Sequence, residues 1–235
     1  MYKRQDLNAQ FVGKNILKEK VGEPKSLKSR KCKMKPKILL VVVLITLLTL
    51  GATTLKPEIE FLDEVKIERR NGEKWIGIIS DTHFPTRAKE IPEKVFRVFK
   101  GVDLIVHAGD LVVLDVIKEL EKIAPVVAVQ GNMDWVEVKE KLPEITSFEV
   151  QGKRIGVTHD AGIFGMEKME KIAKENGFDI LIFGHTHRQF LREKNGILYV
   201  NPGSPTNPIP PFMIKPSVAL MKISKEKVEV YFVKV

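Results

Sequence analysis

Trp75-Ile-Gly-Ile-Ile-Ser-Asp-Thr-His83 is the stretch that decides the fold. Its first five residues form a short, largely β-branched apolar run. The last four are polar and include a carboxylate and an imidazole. A run of this length that breaks into a polar loop is the pattern of a strand buried on both faces. Asp81 and His83 therefore fall just past the C-terminal end of a strand, the edge at which open α/β sheets bind their ligands.

The same pattern recurs on moving outward. Asp103-Leu-Ile-Val106 leads into His107-Ala-Gly-Asp110, and Pro125-Val-Val-Ala-Val129 leads into Gly131-Asn-Met-Asp134. The run 153–157 ends in Thr158-His159, and 179–183 ends in Gly184-His-Thr-His187. Helical patterns are expected at 92–99, 113–123, 135–142 and 166–175, the last closed by Asn176-Gly177. Gln151-Gly152 predicts a hairpin between 147–150 and 153–157. Two later hairpins pair 189–193 with 197–200 and 218–223 with 227–233. Strands alternating with helices, followed by hairpins, predict an α/β domain over 74–235 with mostly parallel central strands.

All five histidines lie outside the N-terminal tail and sit in these strand-end clusters, and four of them, His83, His159, His185 and His187, are candidate ligands. Asp, His and Asn supply hard oxygen and borderline nitrogen donors, which suit Mn²⁺, Fe, Zn²⁺, Ni²⁺ or Co²⁺. One carboxylate can bridge two ions, and two ions ~3.5–4 Å apart clamp the attacking and leaving oxygens of a phosphoryl displacement. His107, at a buried strand end, is expected to be hydrogen-bonded and structural rather than catalytic. Asp134 is expected either to orient a ligand or to cap the helix at Trp135.

The order Asp-x-His, Gly-Asp, Gly-Asn-x-Asp, His, Gly-His-x-His resembles the calcineurin-like metallophosphoesterase family, and Asn201-Pro-Gly-Ser204 resembles its small phosphodiesterase branch. The resemblance implies a two-sheet sandwich flanked by helices over residues 74–235. It also implies that Asp81, His83 and His187 hold one divalent ion, that Asn132, His159 and His185 hold a second, and that Asp110 bridges them. Asp110, Asn132 and His159 would then be catalytic, Mn²⁺ the preferred cofactor, a metal-activated water the nucleophile, and a small phosphoester the substrate. Where many relatives carry a histidine between Asn and the acidic residue, this chain has Met133, which cannot donate a proton. His159 is followed by Asp160-Ala-Gly162 rather than Gly-His. With no further cationic donor evident in the motifs, a phosphodiester is expected over a monoester. A non-catalytic scaffold of the same fold and a nuclease are the alternatives.

The charge balance bears on the nuclease. The net charge is +9, but residues 1–37 hold twelve Lys and Arg against three acidic residues, which accounts for all of it. Residues 38–235 carry 27 charges of each sign, so the domain has no cationic excess for a phosphate backbone, and no nucleic-acid partner is expected. Aromatic residues at 7% are also sparse for stacking bases. The single cysteine, Cys32, excludes an internal disulfide framework and any cysteine-rich metal site.

Residues 1–37 are expected to be a basic, flexible tail. Ile38-Leu-Leu-Val-Val-Val-Leu-Ile-Thr-Leu-Leu-Thr-Leu50 and the five residues after it carry no charge. As a helix, 38–55 would span roughly 27 Å, close to the ~30 Å hydrocarbon core of a bilayer. A single-pass membrane anchor with a cytoplasmic N-terminus is the favoured expectation. A signal segment, with translation starting at Met34, and a buried core element are the alternatives. Residues 56–73 are charged and expected to be a linker, with one short strand at 64–69.

Overall fold

The computed structural model describes residues 59–160, 162, 166–206 and 214–235. In chain order the elements are β1 (Phe61–Leu62), β2 (Lys74–Ile79), α1 (Glu93–Val98), β3 (Leu104–His107), α2 (Asp115–Glu121), β4 (Val126–Ala128) and α3 (Val136–Lys141). There follow β5 (Ile145–Val150), β6 (Lys153–Thr158), α4 (Glu167–Asn176), β7 (Ile180–Ile182), β8 (Gln189–Lys194), β9 (Ile197–Pro202), β10 (Ser217–Ile223) and β11 (Val228–Lys234).

The strands form two sheets, ordered β1-β11-β10-β2-β3-β4 and β5-β6-β7-β9-β8. The runs β2-β3-β4 and β6-β7-β9 are parallel, and the three expected hairpins are antiparallel. Side chains alternate across each strand, and that alternation produces four layers. Ile76 and Ile78 of β2, Val106 of β3, Ile155 and Val157 of β6, and Ile180 and Ile182 of β7 meet between the sheets. Trp75, Ile79, Ile105 and Leu220 point the other way, where Val95 and Phe99 from α1 and Val116 and Leu120 from α2 cover them. Leu181 and Tyr199 face outward from the second sheet onto Met169 and Ala173 of α4. Each such fully buried apolar side chain contributes about 1.5–3 kcal/mol against exposure. Gly77 lets the Phe99 ring lie against β2, since a Cβ there would come within 2.9 Å of it.

Three expectations are revised. The short strand forms at Phe61–Leu62, parallel to β11, and not at 64–69. Phe61 packs against Phe232, whereas Val65 and Ile67 bury side chains on the outer cluster without joining a ladder. The helices at 92–99, 113–123 and 135–142 are shorter than their patterns, because their first and last residues go into loops. The membrane localisation is corrected as well: among the described residues no helix is long and apolar enough to cross a membrane. The run 38–55 on which it rested, and the tail 1–37, lie outside the described residues.

Candidate metal centre

The parallel strands of both sheets end at the same edge, and every polar cluster singled out above arrives there. Asp81 and His83 follow β2, Asp110 follows β3, Asn132 follows β4, His159 follows β6, and His185 and His187 follow β7. One ligand atom each from Asp81, His83, Asp110 and His187 lies within 4.8 Å of the others, and all four residues are buried. Asp81 Oδ1 is 3.2 Å from His187 Nε2, and His83 Nε2 is 3.1 Å from the same nitrogen. Asp110 lies between two groups, with its Oδ2 3.7 Å from His83 Nε2 and 3.3 Å from His159 Nε2. On the second side, Asn132 Oδ1 is 3.1 Å from His159 Nε2 and 2.9 Å from His185 Nδ1. The structure thus brings together all seven residues proposed as ligands.

The backbone bends sharply to do this. Asp81, His83, Asp110, His185 and His187 all have φ between 47° and 70°, in the left-handed region that side chains disfavour, and the β-branched Val112 has φ 79°. Such conformations persist only where the surroundings impose them, and they concentrate at functional sites. Here the restraints are visible. The Asp81 carbonyl accepts hydrogen bonds from Ser204 Oγ at 2.8 Å and Thr206 Oγ1 at 3.3 Å. Asn201 Nδ2 donates to the Gly184 carbonyl at 2.7 Å. Asp134 does not cap α3; its carboxylate accepts from Val112 N at 2.5 Å and Gly131 N at 2.6 Å, tying the Asp110 loop to the Asn132 loop. Burial raises the Asp134 carboxyl above the usual range despite those two bonds. His107 is fully buried against Thr82 Oγ1 at 3.2 Å, and burial holds it near 4, so it is neutral behind the site.

The donor set fits divalent cations. The Ala108 carbonyl lies 2.7 Å from His159 Nδ1 and can only accept, so Nδ1 carries the proton and Nε2 is turned toward the oxygens of Asp110 and Asn132. Those oxygens have no hydrogen to offer. Burial lowers the affinity of His159 for a proton, but the Asp110 hydrogen bond and the Asp81 and Asp110 charges outweigh it and raise the group to about 8. The pocket therefore favours positive charge between these atoms, which is what a divalent ion supplies. Asp81 Oδ1 is buried and receives no hydrogen bond. His83 is held near 4 by burial, opposed by Asp110 and Asp81, so its imidazole is neutral and able to ligate.

The cluster opens into a cleft of about 880 Å³. Met133 lines it and is 44% exposed, so no imidazole occupies that position. Arg87, Arg188 and Arg192 also line the cleft, which corrects the expectation of a site without further cationic donors. Charge counting missed them because it gives the net charge of a domain and not where the charges lie. An available signal was the alternation Arg188-x-Phe190-x-Arg192 next to the last histidine, which puts Phe190 and Arg192 on one face of β8 with Arg188 just before it.

Three comparisons bear on the reading. A probable metallophosphoesterase of Methanothermobacter thermautotrophicus is 44% identical over 157 residues, covering 66% of this chain and 88% of that protein. A phosphodiesterase of Methanocaldococcus jannaschii is 34% identical over 142 residues, covering 54% and 82%. In overall fold, the structure of vacuolar protein sorting 29 from Cryptosporidium parvum matches with a TM-score of 0.64 at 24% identity, covering 70% of this chain and 93% of that one. The sequence profile of the calcineurin-like phosphoesterase superfamily domain matches residues 75–226, a span that holds the whole ligand cluster and every strand but β1 and β11, and the chain belongs to that family.

Proposed function

We propose that the chain is a phosphoesterase dependent on two divalent ions and selective for phosphodiesters. The observation that carries this is the position of Asp110, whose Oδ2 faces His83 on one side and His159 on the other, between two sets of donors. In this reading Asp81, His83 and His187 hold one ion, Asn132, His159 and His185 hold the other, and Asp110 is shared. Ions at these positions would polarise the phosphoryl group and activate water.

The protein's own side chains prepare the geometry. The hydrogen bond to Ala108 fixes the His159 ring, and the bond from Met133 N to Asp110 Oδ1 at 2.7 Å fixes the carboxylate. Met133 leaves the leaving-group side without a proton donor. That handicaps a monoester with a poor leaving group more than an activated diester, since general acid catalysis is worth roughly 10²–10⁴-fold.

The test uses the purified full chain, stripped by chelator and reloaded with Mn²⁺ and, in parallel, with Ni²⁺, Co²⁺ or Zn²⁺. Two bound ions per chain and a higher kcat/KM on bis(4-nitrophenyl) phosphate than on 4-nitrophenyl phosphate are expected. A preference for the monoester refutes diester selectivity. The fold shared with vacuolar protein sorting 29 supports a second reading, a binding scaffold, and stoichiometric metal with no hydrolysis of either ester would favour it.

A further inference from the structure

The cleft is longer than one phosphate requires. Phe190 and Arg192 lie on the helix-side face of β8, opposite Leu191, which points into the core between the sheets. Arg188 precedes β8 by one residue and shares their alternation. At about 3.3 Å per residue, Arg188 and Arg192 start at most roughly 13 Å apart along the chain, a spacing that lets them address two anionic groups of one substrate.

Their charges are also uncommitted. Arg69 pairs with Asp103, Arg97 pairs with Glu93, and Arg154 lies over the Phe178 ring. Among the described residues, no carboxylate pairs with Arg87, Arg188 or Arg192, although elsewhere the surface is laced with lysine–carboxylate pairs. The same cleft is lined by the apolar side chains of Met133, Met166 and the half-buried Phe190, whose ring packs 5.7 Å from that of Phe183. Three unpaired guanidinium groups beside an apolar wall form a surface for an anion joined to an apolar or aromatic body.

We propose that Arg188, Phe190 and Arg192, with Arg87 of the same cleft, form a second substrate subsite. It takes an anionic group other than the scissile phosphate, so the favoured substrate is a phosphodiester that carries a further phosphate on an apolar or aromatic frame. This rests on the diesterase reading above and names the substrate class for it. None of its side chains is among the proposed metal ligands, and it acts as binding energy common to ground and transition states, which lowers KM and leaves kcat alone.

The test compares two esters of one chromophore, thymidine 5′-(4-nitrophenyl phosphate) and the same compound with a 3′-phosphate, on the metal-loaded full chain. The 3′-phosphate should raise kcat/KM about tenfold, the low end for a charge-assisted hydrogen bond, through KM, and the gain should shrink with added salt. Arg188→Ala and Arg192→Ala should each reduce the gain and together abolish it, with metal content and melting temperature unchanged. A parallel measurement needs no turnover: metal-free protein should bind thymidine 3′,5′-bisphosphate more tightly than thymidine 5′-phosphate, and the double variant should not. Equal kcat/KM for the two esters, or a preference that survives the double variant, overturns the subsite. Tighter bisphosphate binding without hydrolysis of either ester would uphold the subsite and refute the diesterase reading.

Discussion

Gly131→Ala tests the ligand geometry at its tightest point. A Cβ on residue 131 would lie 2.2 Å from Asp110 Oδ1 and 2.3 Å from Asp110 N. Ordinary contact begins at 3.4 Å, so the carboxylate or the loop must retreat by about 1.2 Å. Gly131 does not occupy the left-handed region, so alanine brings no backbone penalty there and the whole effect falls on Asp110. Overpacking of this kind costs about 1–3 kcal/mol of stability. A misplacement of ~1 Å at a reacting centre costs on the order of 100-fold in rate. We expect the variant to fold with a lowered melting temperature, to bind less than the full metal complement, and to lose roughly 100-fold in kcat/KM on bis(4-nitrophenyl) phosphate. Metal analysis, thermal melting and steady-state kinetics on one preparation read all three. If Gly131→Ala keeps wild-type metal content and rate, Asp110 does not do what its position between the two donor sets suggests.

Asp110→Ala should lose both ions in elemental analysis, whereas His185→Ala should retain one; equal loss in the two would argue against a shared carboxylate. Met133→His should raise monoester turnover relative to diester turnover with metals still bound, and an unchanged ratio would show that the missing proton donor does not set the preference. In the metal-free protein, His83 and His107 are held near 4 by burial against 6.5 when unfolded, so stability should fall as pH drops from 6.5 toward 4. His159 is raised to about 8, so its contribution is complete below 6.5 and fades as pH rises through 8. The apo melting temperature should thus peak near 6.5, and His107→Asn should flatten the acid side; a profile without an acid limb would refute the burial of neutral imidazoles. Chelation should also lower the melting temperature of loaded protein, because ions that bind only the folded state stabilise it by mass action.

What the sequence disclosed was governed by local pattern. Buried parallel strands reveal themselves as short apolar runs, and the residue after each run is placed by chain continuity alone, so Asp81, Asp110, Asn132, His159 and the two histidines after β7 are legible as one set in the sequence. The split of those strands into two sheets came only through the family resemblance, since nothing in β6 says that it pairs with β7 and not with β4. The Asp134 clamp joins loops whose residues 112 and 134 are far apart in sequence, and no local pattern encodes that contact. The left-handed backbone at Asp81 was also hidden, because this residue carries no glycine-like signal and its restraint comes from Ser204 and Thr206, more than 120 positions away. Residues 64–69 misled for the opposite reason: their alternation is real, but Val65 and Ile67 bury side chains without a neighbouring strand to accept their backbone.

The order of the second sheet divides the labour of the cleft unevenly. β2, β3, β6 and β7 each have a neighbour on both sides, and they deliver Asp81, His83, Asp110, His159, His185 and His187; only Asn132 follows an outer strand, β4. β8, which carries Phe190 and Arg192, is an edge held by β9 alone. A strand with one ladder opens at lower free energy than one with two. In the proposed function, the wall that would meet the bulk of a substrate is therefore the compliant side of the cleft, able to yield to differently shaped ester groups while the ligand cluster beside it stays in register. An enzyme built this way would change its substrate range by drift along a single edge strand, with its ligands untouched.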